Sequence, residues 1–424
     1  MAHKRIQDVL AYACLLNLFT FYSFYLPGLL LMEFSKSFPS ALLFSTSAFL
    51  VGFIVRPIGA LFLGQLADRR SRMDGLRISV LLIGISSCLV CILPDGELVS
   101  YYVLRVIQGF ALGGCYPILS IIIYESAPAH QRGLYTGLFQ TSVPAGYLFA
   151  IAVTIVSKLL IGEAEFMQNG WRTAFIYSFF IFPVWWQLHK TLRNIEFHDE
   201  PEIARKEYVK FKSWNPKEKK GVIFAFLLAV AVGSIAITGV NIKGFFLKSL
   251  LQLEPLTLNQ VVAYSTIFYA PTYALWGALA DRVGPGKVCT FGLIAGIVFI
   301  LPLFKVFELA AVEYHIPAFS PSWFVIFLTS VTVSVIATAC FGPFVLLVCE
   351  MVHHEHRCTL YGLVYNIATG IVGGSAYLVS NYVFENFRSI YGGIAYIVLI
   401  ALVSGCAAYL YRKRNIEHFP KFIR

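Results

Sequence analysis

Apolar runs of about 20 residues recur from one end of the chain to the other, separated by short polar turns. A helix of about that length crosses the hydrocarbon core of a bilayer. With no water there to satisfy backbone groups, such runs must be helical rather than open strands. Twelve runs are read, roughly 9–32, 41–63, 76–93, 101–123, 133–160, 173–188, 222–247, 258–279, 288–306, 323–348, 359–384 and 391–409. The only long hydrophilic stretch is rich in Lys and Glu, broken by Pro201 and Pro216, and lies between the sixth and seventh runs. The predicted fold class is an all-α membrane protein: twelve transmembrane helices in two six-helix pseudo-symmetric bundles, residues 1–193 and 221–424, joined by a linker at 194–220. Pairs such as Gly113-Gly114, Gly342-Pro343 and Gly373-Gly374 inside the runs read as close-packing points and kinks.

The polar turns repeat as well. Gly64-Gln65-Leu66-Ala67-Asp68-Arg69 follows the second run, and Gly277-Ala278-Leu279-Ala280-Asp281-Arg282 follows the eighth. Glu125 and Arg132 stand seven apart after the fourth run, and Glu350 and Arg357 repeat that spacing after the tenth. Two halves on one plan indicate a duplicated architecture, and parallel repeats in an apolar protein point to a carrier.

Composition agrees. With 58 % hydrophobic and 13 % charged residues and a mean hydropathy of +0.72, no soluble fold could cover this much apolar surface. The net charge of +10 is not a nucleic-acid footprint. Lys and Arg gather in the even-numbered turns, the linker and both tails, whereas the odd-numbered turns hold only Lys36, Lys158, Lys248, Lys305 and Arg388. The positive-inside rule then places both termini in the cytoplasm, and the first run is too long for a cleaved signal peptide. The nine cysteines lie in or beside apolar runs and read as small buried hydrophobes. His353-His354-Glu355-His356 reads as a polar turn, since contiguous spacing suits a single tetrahedral metal site poorly. No phosphate loop and no nucleophile–base set is evident. The reading is therefore not an enzyme, with neither cofactor nor metal.

Several ordered motifs carry a resemblance. They are Arg56-Pro57-Ile58-Gly59, Arg105-Val106-Ile107-Gln108-Gly109-Phe110, Arg132-Gly133 with Tyr135 and Gln140, Gly170-Trp171-Arg172, and Tyr365-Asn366. Together with the charged turns they make the chain resemble the major facilitator superfamily, and within it the metabolite:proton symporter group of proline/betaine, α-ketoglutarate and shikimate permeases. The resemblance implies the major facilitator fold and secondary transport by alternating access in a bacterial inner membrane. The working unit is expected to be a single chain. The partners expected are the bilayer, a small organic solute bearing a carboxylate (a metabolite, amino acid or osmolyte) and a co-transported proton. One departure bears on the last. The group's first helix usually carries two acids where this chain has Thr20 and Ser23, and its fourth carries one where this chain has Cys115. Uniport or exchange without proton coupling, and a non-transporting sensor of the same fold, therefore stand as alternatives.

Two sets of residues are candidates. Asp68, Arg69, Arg72, Glu125 and Arg132, with Asp281, Arg282, Glu350 and Arg357, suit a cytoplasmic gate. An Asp at a helix end accepts amides from a neighbouring helix N-terminus and pairs with nearby Arg. Helices 1, 4, 7 and 10 line the cavity in facilitators, so the resemblance implies that Asn17, Tyr22, Tyr25, Tyr116 and Asn241 contact substrate, with Gln140 from helix 5. Charges inside the runs are Arg56, Arg105 and Lys243. Charges facing lipid are costly, so such residues normally face a cavity or a partner. Arg105 is counted with the substrate contacts, and Arg56 reads equally as a structural donor to helix carbonyls. Lys243 is either a cation awaiting an anionic substrate group or a side chain snorkelling outward.

Overall fold

The computed structural model describes residues 2–30, 51–94, 97–168, 170–193, 216–247, 251–311 and 316–414. It is almost wholly helical, with no strand among the described residues. Much of the expected linker, at 194–215, lies outside them.

The helices are α1 (Ala2–Leu29), α2 (Arg56–Arg69), α3 (Arg72–Leu89), α4 (Leu98–Ser126), α5 (Arg132–Gln140 continued by Ser142–Ile161) and α6 (Thr173–Ile176, then Ile181–Arg193). They continue as α7 (Pro216–Ile237, then Lys243–Phe245), α8 (Pro255–Tyr269 and Thr272–Val283), α9 (Pro285–Ala310), α10 (Pro321–Phe341 and Phe344–Met351), α11 (Arg357–Asn366 and Gly373–Phe387) and α12 (Gly392–Arg414). Local chemistry explains many boundaries. Pro occupies the first turns of α8, α9 and α10, where its missing N–H is harmless. Ser71 and Ser320 cap α3 and α10 by accepting from Asp74 N and Trp323 N. Gly284, at φ 97°, stops α8 and turns the chain directly into α9.

Two features differ from the sequence expectation. The runs read as ending near 63 and 279 remain helical through Arg69 and Val283, so the charged turns are helix termini rather than loops. A short helix, Glu163–Gln168, lies between α5 and α6 and buries Phe166. Two helices also open into π-turns, Thr238–Ile242 in α7 and Ile367–Val372 in α11, a distortion common at functional sites.

By packing, the chain forms two compact units whose borders cut across the duplication. One comprises Met1–Ala127, Phe139–Val209 and His354–Asn366; the other comprises Pro128–Leu138, Lys210–His353 and Ile367–Arg424. The start of α11 therefore packs with the first half of the sequence, and the start of α5 with the second.

In the first unit, Tyr22, Leu26, Tyr101, Phe166, Trp171 and Phe175 belong to one buried cluster. Its helices α2 and α4 meet backbone to backbone. A Cβ on Gly59 would collide with the Phe110 carbonyl, and one on Gly113 with the backbone of Arg56. In the second unit, the Phe246 ring packs 4.9 Å from Phe304 and 6.2 Å from Tyr391. Large apolar side chains on the outer faces are exposed, among them Phe62, Phe291, Ile294, Val298, Leu399 and Val403. That apolar exterior suits lipid rather than water. Nine helices among the described residues are long and apolar enough to cross a membrane.

Candidate gate and substrate site

Asp68, near the end of α2, is almost completely buried and surrounded by donors. Its Oδ1 accepts from Cys358 N at 3.0 Å, and its Oδ2 from Thr359 N at 2.8 Å and Thr359 Oγ1 at 2.6 Å. These groups belong to the first turn of α11, whose free N–H groups and dipole favour an anion. Arg72 Nη1 closes the ring on Asp68 Oδ1 at 2.5 Å. Arg72 also reaches Glu125 Oε1 at 3.2 Å and the His354 carbonyl at 2.9 Å. Glu125 Oε1 in turn takes Arg357 Nη1 at 3.1 Å, and Arg357 lies over the Tyr124 ring. The network ties α2, α3 and α4 to the start of α11. The helices approach closely enough that a Cβ on Gly64 would lie 2.8 Å from Thr359 Cα.

Asp281 does the same for α5 within the second unit. Its two oxygens accept from Gly133 N at 2.7 Å and Leu134 N at 2.8 Å. In both cases the amides are those of the second and third residues of the capped helix, and a glycine four residues before the Asp lets the backbones meet. Burial pushes the Asp281 carboxyl above the ordinary aspartate range, while the Leu134 and Gly133 amides pull it back. Glu350 is partly buried within electrostatic reach of Arg132 and Asp281. The second clasp is the poorer in charge: where Arg72 follows Asp68 by four, Pro285 follows Asp281, and Arg282 is exposed. Arg69 is partly buried beside the first clasp.

The first unit also holds a ladder of cations and rings. Arg105, on α4, is fully buried; its Nη1 donates to Gln108 Oε1 at 2.6 Å, and Gln108 donates to Ser87. Arg105 and Arg56 both pack against Phe24, at 5.1 and 5.5 Å from its centroid. Arg56 further contacts Phe53 and Tyr365. The Nε and Nη2 atoms of both arginines are buried without a hydrogen-bond partner among the described residues. Beyond Tyr365, whose ring centre is 4.6 Å from that of Tyr116, the Tyr116 hydroxyl donates to Gln140 Oε1 at 2.5 Å. Asn17 donates to Ser142 at 2.7 Å, and its Oδ1 is buried without a partner among the described residues. Asn366 fixes α11 here by donating to the Gly113 carbonyl at 3.0 Å.

In the second unit, Lys243 follows the π-turn of α7 and is 2 % exposed. It therefore does not snorkel. Its Nζ faces Ser334 Oγ at 2.8 Å, Ser265 Oγ and the Ser330 carbonyl at 3.4 Å each, and the Tyr269 ring at 5.3 Å. The side chain of Asn241, in the π-turn, lies outside the described set.

The pattern of the family described as "Sugar (and other) transporter" matches residues 32–188. That of the "Major Facilitator Superfamily" matches residues 224–421. The chain belongs to the major facilitator superfamily. Among its relatives is the citrate-proton symporter of Klebsiella pneumoniae, 23 % identical over 94 % of this chain and 88 % of that protein. Another is the alpha-ketoglutarate permease of Escherichia coli, 25 % identical over 92 % and 89 %. The fold is also that of a double-Trp variant of XylE, with a TM-score of 0.73 at 17 % identity over 99 % and 96 % of the two chains. As a major facilitator the chain is a secondary transporter with twelve spans, not an enzyme.

Against that background the replaced acids acquire a clear local structure. Thr20 Oγ1 donates to the Asn17 carbonyl at 2.8 Å, Ser23 Oγ lies 2.9 Å from the Phe19 carbonyl and 2.7 Å from Ser178 Oγ, and Cys115 is fully buried. Neutral groups fill these positions, and Thr20 and Ser23 each bond a carbonyl of their own helix. Of the predicted contacts, Arg105, Tyr116 and Gln140 fall on the ladder, and Asn17 lies close by through Ser142, two residues beyond Gln140. Tyr22 instead sits in the apolar cluster with its hydroxyl bonded to the Ala174 carbonyl. Tyr25, partly buried, packs on Phe21, Phe24 and Tyr147. Sequence reasoning missed Phe24, Phe53 and Tyr365 as partners of the arginines. It had a usable signal for Gln108, which stands three residues after Arg105 on the same helix face.

Proposed function

We propose that this transporter carries small organic anions, carboxylate-bearing metabolites above all, and recognises the carboxylate with Arg105 and Arg56. The supporting observation is the pair of buried guanidinium groups whose Nε and Nη2 atoms have no partner among the described residues. A guanidinium cannot shed its proton, and a buried charge without its counter-charge is costly by several kcal/mol. An anionic solute would supply that charge through bidentate bonds. The aromatic rings lend less support to betaines, because Phe24, Phe53 and Tyr365 already face arginines. The two Asp clasps serve as the cytoplasmic latch of alternating access, making and breaking as the carrier changes state. The Lys and Arg bias of the turns supports cytoplasmic termini. The bacterial relatives support an inner-membrane location and proton symport.

The reading is tested by thermal shift of the purified protein against citrate, α-ketoglutarate, shikimate, glycine betaine and xylose. At least one carboxylate should raise the melting temperature, xylose should not, and Arg105→Gln should lose the response. Equal stabilisation of Arg105→Gln and the parent by the best carboxylate would remove Arg105 from the site.

A further inference from the structure

Lys243 differs from the two arginines in a chemically decisive way: a lysine can give up its proton and an arginine cannot. Its surroundings are neutral. Ser334 Oγ, Ser265 Oγ and the Ser330 carbonyl offer three acceptors, one for each N–H of an ammonium. The protons of the two hydroxyls are already committed, that of Ser334 to the Gly239 carbonyl at 2.8 Å and that of Ser265 to the Val262 carbonyl at 3.1 Å. The cage therefore fits a charged head. Among the described residues no carboxylate forms an ion pair with it. The acids of the helices that contribute or flank the cage are Glu218 in α7, Asp281 at the end of α8 and Glu350 at the end of α10, and α12 has none. In α9, Glu308 is bonded to Lys305 and Tyr391. Among the described groups facing Nζ, Tyr269 is the only other titratable one; Tyr396 of α12 bonds Ser375.

The remaining neighbour completes the picture. Ser330 Oγ is buried and has no hydrogen-bond partner among the described residues. An ammonium already has its three acceptors, and it cannot receive a proton because it has no lone pair. A neutral amine does have one, and the Ser330 hydroxyl, on the residue whose carbonyl already faces Nζ, is a donor without another bond among the described residues. The site thus provides acceptors for the charged head and a donor in reserve for the neutral one, beside a π-turn of the kind frequent at functional sites.

We infer that Lys243 is the proton-carrying residue of this transporter, alternating between ammonium and amine during the cycle in place of the acids absent at positions 20, 23 and 115. The step balances as a proton passing between Nζ and water, with Ser330 Oγ turning its hydrogen toward the nitrogen as the proton leaves. Its place in transport rests on the symport reading above. The titration itself does not.

The test needs no substrate. Protein labelled with 15N at the lysine Nζ, in lipid nanodiscs, is titrated by NMR from about pH 6 to 9. Lys243→Met identifies the resonance by its absence. The expected result is one lysine signal that converts from the ammonium to the amine position while the others stay ammonium. Ser330→Ala should move that conversion up by roughly one pH unit, the worth of one hydrogen bond to the amine. A Lys243 signal that stays ammonium throughout makes the residue a fixed structural cation and overturns the proposal. An unchanged midpoint in Ser330→Ala removes Ser330 from it.

Discussion

Replacing Asp68 by Asn keeps the shape of the side chain and removes its charge. The carboxylate now accepts four bonds, from Cys358 N at 3.0 Å, Thr359 N at 2.8 Å, Thr359 Oγ1 at 2.6 Å and Arg72 Nη1 at 2.5 Å. The single oxygen of an amide can keep about two of them, and its NH2 group faces donors. Two charge-assisted bonds at about 1.5–3 kcal/mol each are lost. Arg72 keeps its existing bonds to Glu125 and the His354 carbonyl, which hold it at the clasp, so the lower end of that range, about 3 kcal/mol, is taken. Applied to the release of α11 from α2, that is roughly 100-fold in the opening equilibrium. A reporter already stands at the clasp: Cys358 is fully buried, and its amide is bonded to Asp68. Its maleimide labelling, followed by peptide-resolved mass spectrometry, should accelerate by that order in Asp68→Asn, while the buried Cys289 and Cys340 of the second unit stay slow. The same Cys358 rate in mutant and parent would refute the latch. So would a larger effect at Cys358 from Asp281→Asn, whose two amide bonds lie on α5.

Gly64→Val should also expose Cys358 to maleimide, because its Cβ would lie 2.8 Å from Thr359 Cα and the helices could not close; hydrogen exchange at the Thr359 amide provides a second measure. Glu125→Gln weakens two guanidinium contacts at the partly exposed rim of the clasp. Its effect on Cys358 labelling should be smaller than that of Asp68→Asn, about tenfold or less. Tyr22→Phe removes one buried bond to the Ala174 carbonyl; it should cost about 1 kcal/mol in denaturant unfolding and leave ligand-induced thermal shifts unchanged. Asp281→Asn should speed exchange of the Gly133 and Leu134 amides and leave those of Cys358 and Thr359 near parental rates.

Much of this protein was legible because the bilayer is an undemanding reader. It asks for runs of about 20 apolar residues with backbone bonds closed inside each run, and hydropathy alone reports both. The duplicated charges at Asp68 and Asp281, and at Glu125 and Glu350, were visible too, because a charge at the end of an apolar run has few places to go. Which donor each acid would meet was not visible. The amides of Cys358 and Thr359 lie some 290 positions beyond Asp68, and backbone amides carry no residue signature. The same limit hid the roles of Tyr22 and Lys243, one inside an apolar cluster and the other in a cage of serines. A side chain's type sets what it could do; which helix faces it, through close glycine contacts and a π-turn, decides whether it binds, latches or merely packs. Those crossings arise from shape matched across distant segments, and only the folded structure brings them together.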